Sequence, residues 1–182
     1  MRELRFPIIA GVIMIIVLAL ISWGGVLQYG SKEGVLKVTF LDVGQGDSTL
    51  IESPTGTQVL IDGGKGSIVL GALSKAMGFF DRDLDMVVAT HPDMDHIGGL
   101  AGVLKRYDVH TILLTENMSD TPAFTSFLEA VKTEGATVLY ARRGQVYDLG
   151  RGKAGSTTLS ILFPDRDPSG LESNMASIVA RL

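Results

Sequence analysis

The chain has 182 residues, of which 46% are hydrophobic, and it contains no cysteine. The absence of cysteine excludes disulfide bonds and thiolate ligands, so any bound metal ion must be held by histidine and carboxylate side chains. The formal net charge is −4, which gives no support to nucleic-acid binding through overall charge.

The N-terminal segment is the most apolar part of the chain, because residues 6–31 include no charged side chain. An uncharged helix of about 20 residues spans the hydrocarbon core of a bilayer. Arg2 and Arg5 precede the segment, and basic residues favour the cytoplasmic side. We therefore predict a membrane anchor over 1–31, a single transmembrane helix with its N-terminus in the cytoplasm and the following domain outside it. The alternative is a cleaved signal peptide, which would make the protein secreted.

A short polar linker, 32–36, separates the anchor from residues 37–182, which are enough for one domain. Strand-like and helix-like segments alternate in this region after an early hairpin, which favours an α/β fold with a mixed sheet. The predicted strands are 35–43, 48–52, 58–61, 86–89, 109–114, 136–141, 157–163 and 177–182. The predicted helices are 68–77, 97–107 and 122–134, the last capped by Thr121 and ended by Gly135.

Four side chains that can bind a metal ion fall within six residues, directly after the predicted strand 86–89. They are His91, Asp93, Asp95 and His96. Two imidazoles and two carboxylates at one strand end form the nucleus of a divalent-metal site. An acidic, solvated turn is the alternative interpretation. A calcium-binding EF-hand is excluded, because Leu104 stands where that loop requires a glutamate.

The same run resembles the His-x-His-x-Asp-His motif of the metallo-β-lactamase superfamily, with Asp93 in place of the second histidine. This variant and residues 41–48 (Leu-Asp-Val-Gly-Gln-Gly-Asp-Ser) are similar to the extracytoplasmic hydrolase domain of ComEC-type competence proteins. Residues 62–64 (Asp-Gly-Gly) resemble the next loop of that family, and 174–182 resemble a later strand. The resemblance covers residues 36–182 and implies the αββα sandwich fold.

This resemblance implies two divalent metal ions, Zn²⁺ or Mn²⁺, that activate water for hydrolysis. His91 and Asp93 would bind the first ion. Asp95 and His96 would bind the second, and these two are the predicted catalytic residues. A carboxylate in place of imidazole at position 93 favours Mn²⁺ beside Zn²⁺. Aspartates of neighbouring loops would orient the ligands or contact the substrate; these are Asp42, Asp47 and Asp62. Gly63 and Gly64 would let the backbone approach the ions.

The resemblance further implies a phosphodiester substrate, with DNA favoured. Arg142 and Arg143 belong to a local basic cluster that could contact phosphates, although such a cluster more often faces solvent. The implied partners are the membrane, DNA and a polytopic competence channel protein. The alternatives are a superfamily hydrolase acting on an ester, amide or β-lactam, and a catalytically inactive, membrane-tethered binding domain.

Members of the family take a bridging aspartate and two further histidines from loops beyond the strand that 177–182 resembles. No histidine follows His110 in this chain, and His110 is itself predicted to be structural. We therefore expect the C-terminal part of the sandwich to be absent and the chain to be a fragment of a longer protein. The alternative is a short protein with an incomplete site. Either way, we expect these 182 residues alone to bind metal weakly and to catalyse poorly.

Overall fold

The computed structural model describes residues 11–20, 34–78, 80–153 and 155–182. The chain divides into two compact units, Met1–Glu33 and Gly34–Leu182. In the first unit, residues 11–20 are helical, and the rest of the predicted anchor lies outside the described residues. No helix within the described ranges is long and apolar enough to cross a membrane.

The second unit is built on a six-stranded mixed sheet. Its strands are β1 Lys37–Phe40, β2 Thr49–Glu52, β3 Gln58–Ile61, β4 Asp83–Ala89, β5 Asp108–Leu114 and β6 Thr137–Tyr140. The strands lie side by side in chain order, antiparallel from β1 to β3 and parallel from β3 to β6. The carboxyl ends of β1 and of β3 to β6 therefore share one edge of the sheet, which we call the carboxyl edge.

Four helices connect the strands: α1 Ile68–Met77, α2 Met94–Ile97, α3 Leu100–Leu104 and α4 Pro122–Glu134. Their buried side chains form one apolar cluster with a single face of the sheet, which contributes Leu60, Val87 and Ile112. The prediction of one continuous helix over 97–107 is wrong. The helix is interrupted because the Gly99 N–H leaves the helical pattern and donates to the Gly64 carbonyl at 3.0 Å.

A second, three-stranded antiparallel sheet covers the other face. Its strands are β7 Val146–Gly152, β8 Gly155–Phe163 and β9 Val179–Arg181. Alternate residues of the first sheet, such as Val59 and Val88, pack there against Leu159 and Ile161. Since the central parallel strands are buried on both faces, their sequences read as continuous apolar runs.

Two further sequence predictions differ from the structure in the second sheet. β7 was not predicted, because Gly150, Arg151 and Gly152 break its apolar alternation. The predicted strand 177–182 is shorter than expected, since a 3-10 turn, Asn174–Ala176, precedes β9 and leaves Ser177 outside the strand.

Helix α4 ends where the sequence predicts, at Gly135, which has a φ of 78°. Apart from its neighbours in the chain, no atom of the described residues lies within 4 Å of a Cβ built at this glycine. The only penalty for Gly135→Ala is therefore that alanine must adopt a left-handed backbone. We expect this variant to lower the free energy of unfolding by about 1 kcal/mol. Urea denaturation measures this value, and no loss of stability would contradict the conformation assigned to Gly135.

Candidate metal centre

Three loops meet at the carboxyl edge: residues 41–48 after β1, 62–66 after β3 and 90–99 after β4. Backbone hydrogen bonds join them directly. The Gly63 N–H donates to the His96 carbonyl at 2.7 Å, and the Gly64 N–H donates to the Asp47 carbonyl at 2.9 Å. The Asp47 N–H in turn donates to the Asp95 carbonyl at 3.3 Å. The sheet therefore fixes where each loop begins, and the loops then hold one another.

The glycines of these loops allow one backbone to approach another. A Cβ on Gly46 would lie 1.7 Å from the Asp95 carbonyl oxygen, and one on Gly99 would lie 2.2 Å from the Gly63 carbonyl oxygen. A Cβ on Gly64 would lie 2.5 Å from the Val43 side chain. The atoms that crowd these positions belong to neighbouring loops. That these glycines also let the backbone approach the metal ions stays a prediction.

Asp62, His91 and His96 form the core of the candidate centre. One ligand atom from each lies within 4.8 Å of the others. The two imidazole centroids are 3.9 Å apart, with their planes inclined by 49°. Asp62 comes directly after β3 and His91 two residues after β4, so neighbouring parallel strands bring together groups that are 29 residues apart in the chain.

The Asp62 carboxylate is buried and fully engaged. Its Oδ1 accepts from the Thr90 N–H at 2.9 Å, and its Oδ2 accepts from the Thr90 hydroxyl at 2.6 Å. The same Oδ2 lies 2.8 Å from His96 Nδ1. A carboxylate can only accept, so His96 Nδ1 carries a proton, and in the uncharged ring Nε2 keeps its lone pair. Asp62 therefore orients His96 in the way that carboxylates orient metal-binding histidines.

His91 is buried, with only 3% of its surface exposed. Its Nδ1 lies 2.9 Å from both the Thr90 and the Ser177 hydroxyl oxygens. Its Nε2 is buried and has no hydrogen-bond partner among the described residues. A buried polar atom without a partner is costly, and a divalent ion accepting the Nε2 lone pair would remove that cost. The donor set of imidazole and carboxylate therefore fits a metal ion.

Other predicted aspartates surround the two histidines. The Asp93 Oδ2 lies 3.6 Å from His91 Nε2, and the Asp47 Oδ2 lies 4.0 Å from His96 Nε2. Asp95 contributes its main chain to the loop contacts, and its carboxylate acts electrostatically on both imidazoles. The exposed Asp42 has a local role, since its Oδ1 accepts from the Gly44 N–H at 3.2 Å.

The two histidines have opposite electrostatic surroundings. Burial, followed by repulsion from His96, lowers the pKa of His91 below its usual value. The hydrogen bond to Asp62 raises the pKa of His96 despite the opposing effect of burial. At neutral pH His91 is therefore uncharged, which is the form that binds a metal ion.

We expect the two imidazoles of the metal-free protein to titrate in a fixed order. As the pH falls, His96 should take up its second proton before His91, because its pKa is raised and that of His91 is lowered. Asp62→Asn removes the largest cause of the His96 shift, so the pKa of His96 should fall in that variant. Nitrogen-detected NMR of both rings measures each pKa, and the reverse order would contradict this description of the site.

The predicted phosphate contacts, Arg142 and Arg143, lie elsewhere on the carboxyl edge. They line a cavity of about 370 Å³ beyond β5 and β6. Arg142 donates to the Glu116 carboxylate, and Arg143 lies 3.9 Å from the Asp165 carboxylate. Both guanidinium groups therefore have acidic partners already, which lowers the positive charge offered to a phosphate.

The structure also places His110 and two serines that are not among the predicted site residues. His110 lies outside the centre, with Nε2 3.1 Å from the Asp83 carboxylate. Ser173 and Ser177 contact Asp93 and His91. The resemblance of 174–182 to a family strand includes Ser177 but not Ser173, and nothing in the sequence indicates that this segment reaches the loop after β4.

Comparisons with known proteins found a family, a curated relative and solved structures that are similar to this chain. The family model of the metallo-beta-lactamase superfamily matches residues 41–178. The chain is 30% identical over 138 residues to ComE operon protein 3 of Bacillus subtilis (strain 168), covering 65% of this chain and 17% of that protein. Rubredoxin oxygen:oxidoreductase from Desulfovibrio gigas superposes with a TM-score of 0.51 at 16% identity, covering 80% of this chain and 35% of the other. Rm3 metallo-beta-lactamase superposes with a TM-score of 0.49 at 18% identity, covering 74% of this chain and 52% of the other.

Proposed function

This chain belongs to the metallo-β-lactamase superfamily, and from that premise we propose that it is a metal-dependent hydrolase that cleaves a phosphodiester, with DNA as the favoured substrate. The observation that carries the proposal is the pair of imidazoles in which His96 is oriented by Asp62 and His91 presents a buried, unpartnered Nε2. The chain spans 17% of the length of ComE operon protein 3, so the activity assigned here is a proposal for this chain.

The proposed ligands fall into two groups. His91 and Asp93 would hold one divalent ion, and His96 with Asp95 would hold the second. Bound divalent ions would lower the pKa of water and stabilise the negative charge that develops during hydrolysis. The buried Asp62 holds the His96 proton at Nδ1, so that the Nε2 lone pair would be available to the ion. The exposed carboxylate of Asp47, 4.0 Å from His96 Nε2, lies at the solvent side of the centre, where it can contact a ligand or substrate.

The choice of a phosphodiester rests on two features. One is the aspartate at position 93, a hard ligand that favours Mn²⁺ beside Zn²⁺. The other is the resemblance of residues 41–48 and 91–96 to the ComEC-type competence proteins, which implies DNA as the substrate. Fold likeness alone does not identify a substrate, because one fold serves many chemistries.

Parallel assays on the full chain test this proposal. With Mn²⁺ or Zn²⁺ present, we expect slow hydrolysis of bis(p-nitrophenyl) phosphate and of single-stranded DNA, lost in the presence of a chelator and in His96→Ala. His110→Ala, which changes a histidine outside the centre, is the matched control and should keep the rate. Faster hydrolysis of nitrocefin would favour a β-lactam or amide substrate. DNA binding without hydrolysis, unchanged in His91→Ala, would favour a binding domain.

We also propose that residues 1–31 anchor the protein in a membrane with the domain on the outer side, where a polytopic channel protein could deliver DNA. The uncharged run 6–31 and the basic residues before it support this. Alkaline extraction of cell membranes should leave the full chain in the pellet, and protease added to intact spheroplasts should degrade its domain. Release of the chain by alkali would contradict the anchor.

A further inference from the structure

The loop between β8 and β9 lies against the ligand loop that follows β4. We call its residues 168–178 the strap. The Ser173 hydroxyl donates to the Asp93 Oδ1 at 2.6 Å, and the Ser177 hydroxyl lies 2.9 Å from His91 Nδ1. The Ile178 N–H donates to the Thr90 carbonyl at 2.9 Å. Two proposed ligands of the same ion thus each contact a serine of the strap.

The strap is held in place by groups at the carboxyl end of β5. The buried Asn117 donates from Nδ2 to the carbonyls of Pro168 and Leu171, both at 3.0 Å. The buried Thr115 hydroxyl donates to the Ala176 carbonyl at 3.1 Å. These bonds tie both ends of the strap to the first sheet, so its serines have fixed positions.

The hydrogen bonds around His91 define what Ser177 does. The Thr90 hydroxyl donates its only proton to the Asp62 carboxylate, at 2.6 Å, so towards His91 its oxygen can only accept. A proton on His91 Nδ1 therefore has two acceptors, the hydroxyl oxygens of Thr90 and Ser177. With that proton in place, Nε2 keeps its lone pair and is available to a metal ion.

We propose that Ser173 and Ser177 are positioning residues for the half of the metal centre formed by His91 and Asp93. Ser177 is the second acceptor for the His91 Nδ1 proton and holds the ring in place, and Ser173 fixes the Asp93 carboxylate beside His91 Nε2. His96 has its own positioning group, Asp62. The two halves of the centre are thus set by different parts of the chain, and the strap acts on one half. This inference rests on the proposed metal site.

The test uses Mn²⁺ alone as the probe, with the full chain. By calorimetry, Ser173→Ala and Ser177→Ala should each weaken binding about tenfold, the size of effect expected when a group that orients a ligand is removed. Ser177→Thr keeps the hydroxyl and should retain the wild-type affinity. Ser126→Ala is the matched control, because Ser126 is an exposed serine of α4.

Nitrogen-detected NMR of the metal-free chain separates positioning from general stability. We expect His91 to carry its proton at Nδ1 in the wild type and in Ser177→Thr, and the share of the Nε2–H tautomer to rise in Ser177→Ala, because the Nδ1 proton then keeps only the Thr90 acceptor. The His96 tautomer should stay the same in all three. If Ser177→Ala does not fold, Ser177→Cys gives the same test, since its sulfur is a weak acceptor of similar size.

Three outcomes would overturn the inference. The first is an affinity in both serine variants equal to that of Ser126→Ala, while His91→Ala loses binding; the metal site would then stand without the strap. The second is a change in the tautomer of His96 as large as that of His91, which would show that the strap does not act on one half of the centre alone. The third is unchanged binding in His91→Ala, which would remove the metal site itself and the inference with it.

Discussion

Replacing Gly46 by alanine should lower the free energy of unfolding by about 3 kcal/mol, a large change for an exposed loop residue. The reason is the close approach of two loops. A Cβ at this position would lie 1.7 Å from the Asp95 carbonyl oxygen and 2.6 Å from its carbonyl carbon, and Gly46 also has a φ of +93°. Neither the backbone at Gly46 nor the backbone at Asp95 can move away without breaking the hydrogen bond from the Asp47 N–H to the Asp95 carbonyl.

Gly66→Ala is the matched control for this substitution. Gly66 lies in a neighbouring loop and has a similar φ of +85°, but no atom lies within 4 Å of its Cβ position. Replacing Gly66 by alanine should lower the free energy of unfolding by only about 1 kcal/mol, the cost of a left-handed backbone in a residue other than glycine. Urea denaturation of the two variants measures the difference. Equal losses would show that the loop 41–48 does not rest on the loop that carries Asp95.

The second large effect is expected on metal affinity, from Asp62→Asn. Asparagine tolerates the left-handed backbone of Asp62, which has a φ of 58°, so the loop should keep its conformation. Its amide oxygen can still accept from the Thr90 N–H, but its NH₂ group then faces the His96 Nδ1 proton. His96 must rotate or move that proton to Nε2, the nitrogen proposed to bind the ion. We expect the affinity for Mn²⁺ to fall about 10- to 100-fold.

Asp148→Asn provides the control for the loss of one negative charge. The exposed Asp148 accepts from the Gly150 N–H, and asparagine can do the same. Calorimetric titration should therefore give the wild-type affinity for this variant. If Asp62→Asn also binds Mn²⁺ with wild-type affinity, Asp62 does not orient a ligand, and its role is limited to holding Thr90 and the loop.

The sequence predicts the helices and strands whose formation depends on residues close together in the chain. Helix α1 occupies the predicted residues, and α4 has the predicted cap, Thr121, and the predicted end, Gly135. The hairpin of β2 and β3 is also confirmed. β7 could not be predicted from periodicity, because packing of Leu149 against the first sheet, rather than an alternating pattern, stabilises it.

The candidate site, too, can be predicted from the sequence only where its residues are close together in the chain. The loop from His91 to His96 is local, so its spacing alone indicates metal chemistry. Asp62 enters through the resemblance of residues 62–64, and the structure adds its hydrogen bond to His96. Ser177 lies 86 residues from His91, and no local pattern connects the two. Only the packing of the strap on the carboxyl edge brings them into contact.

The glycines of the three loops show a second effect of the same kind. From the sequence they are expected to let the backbone approach the metal ions. The structure identifies neighbouring loop atoms, such as the Asp95 carbonyl at Gly46. A glycine-rich loop beside a metal motif therefore indicates tight packing of the supporting loops as well as access to an ion.

The most direct test of the metal centre is a calorimetric titration of the full chain with Mn²⁺ and with Zn²⁺, beside His91→Ala and His110→Ala. We predict measurable binding by the wild type, the same affinity in His110→Ala, and loss of binding in His91→Ala. Binding of equal strength in all three proteins would place the metal elsewhere and contradict the assignment of the Asp62, His91 and His96 cluster as the metal centre.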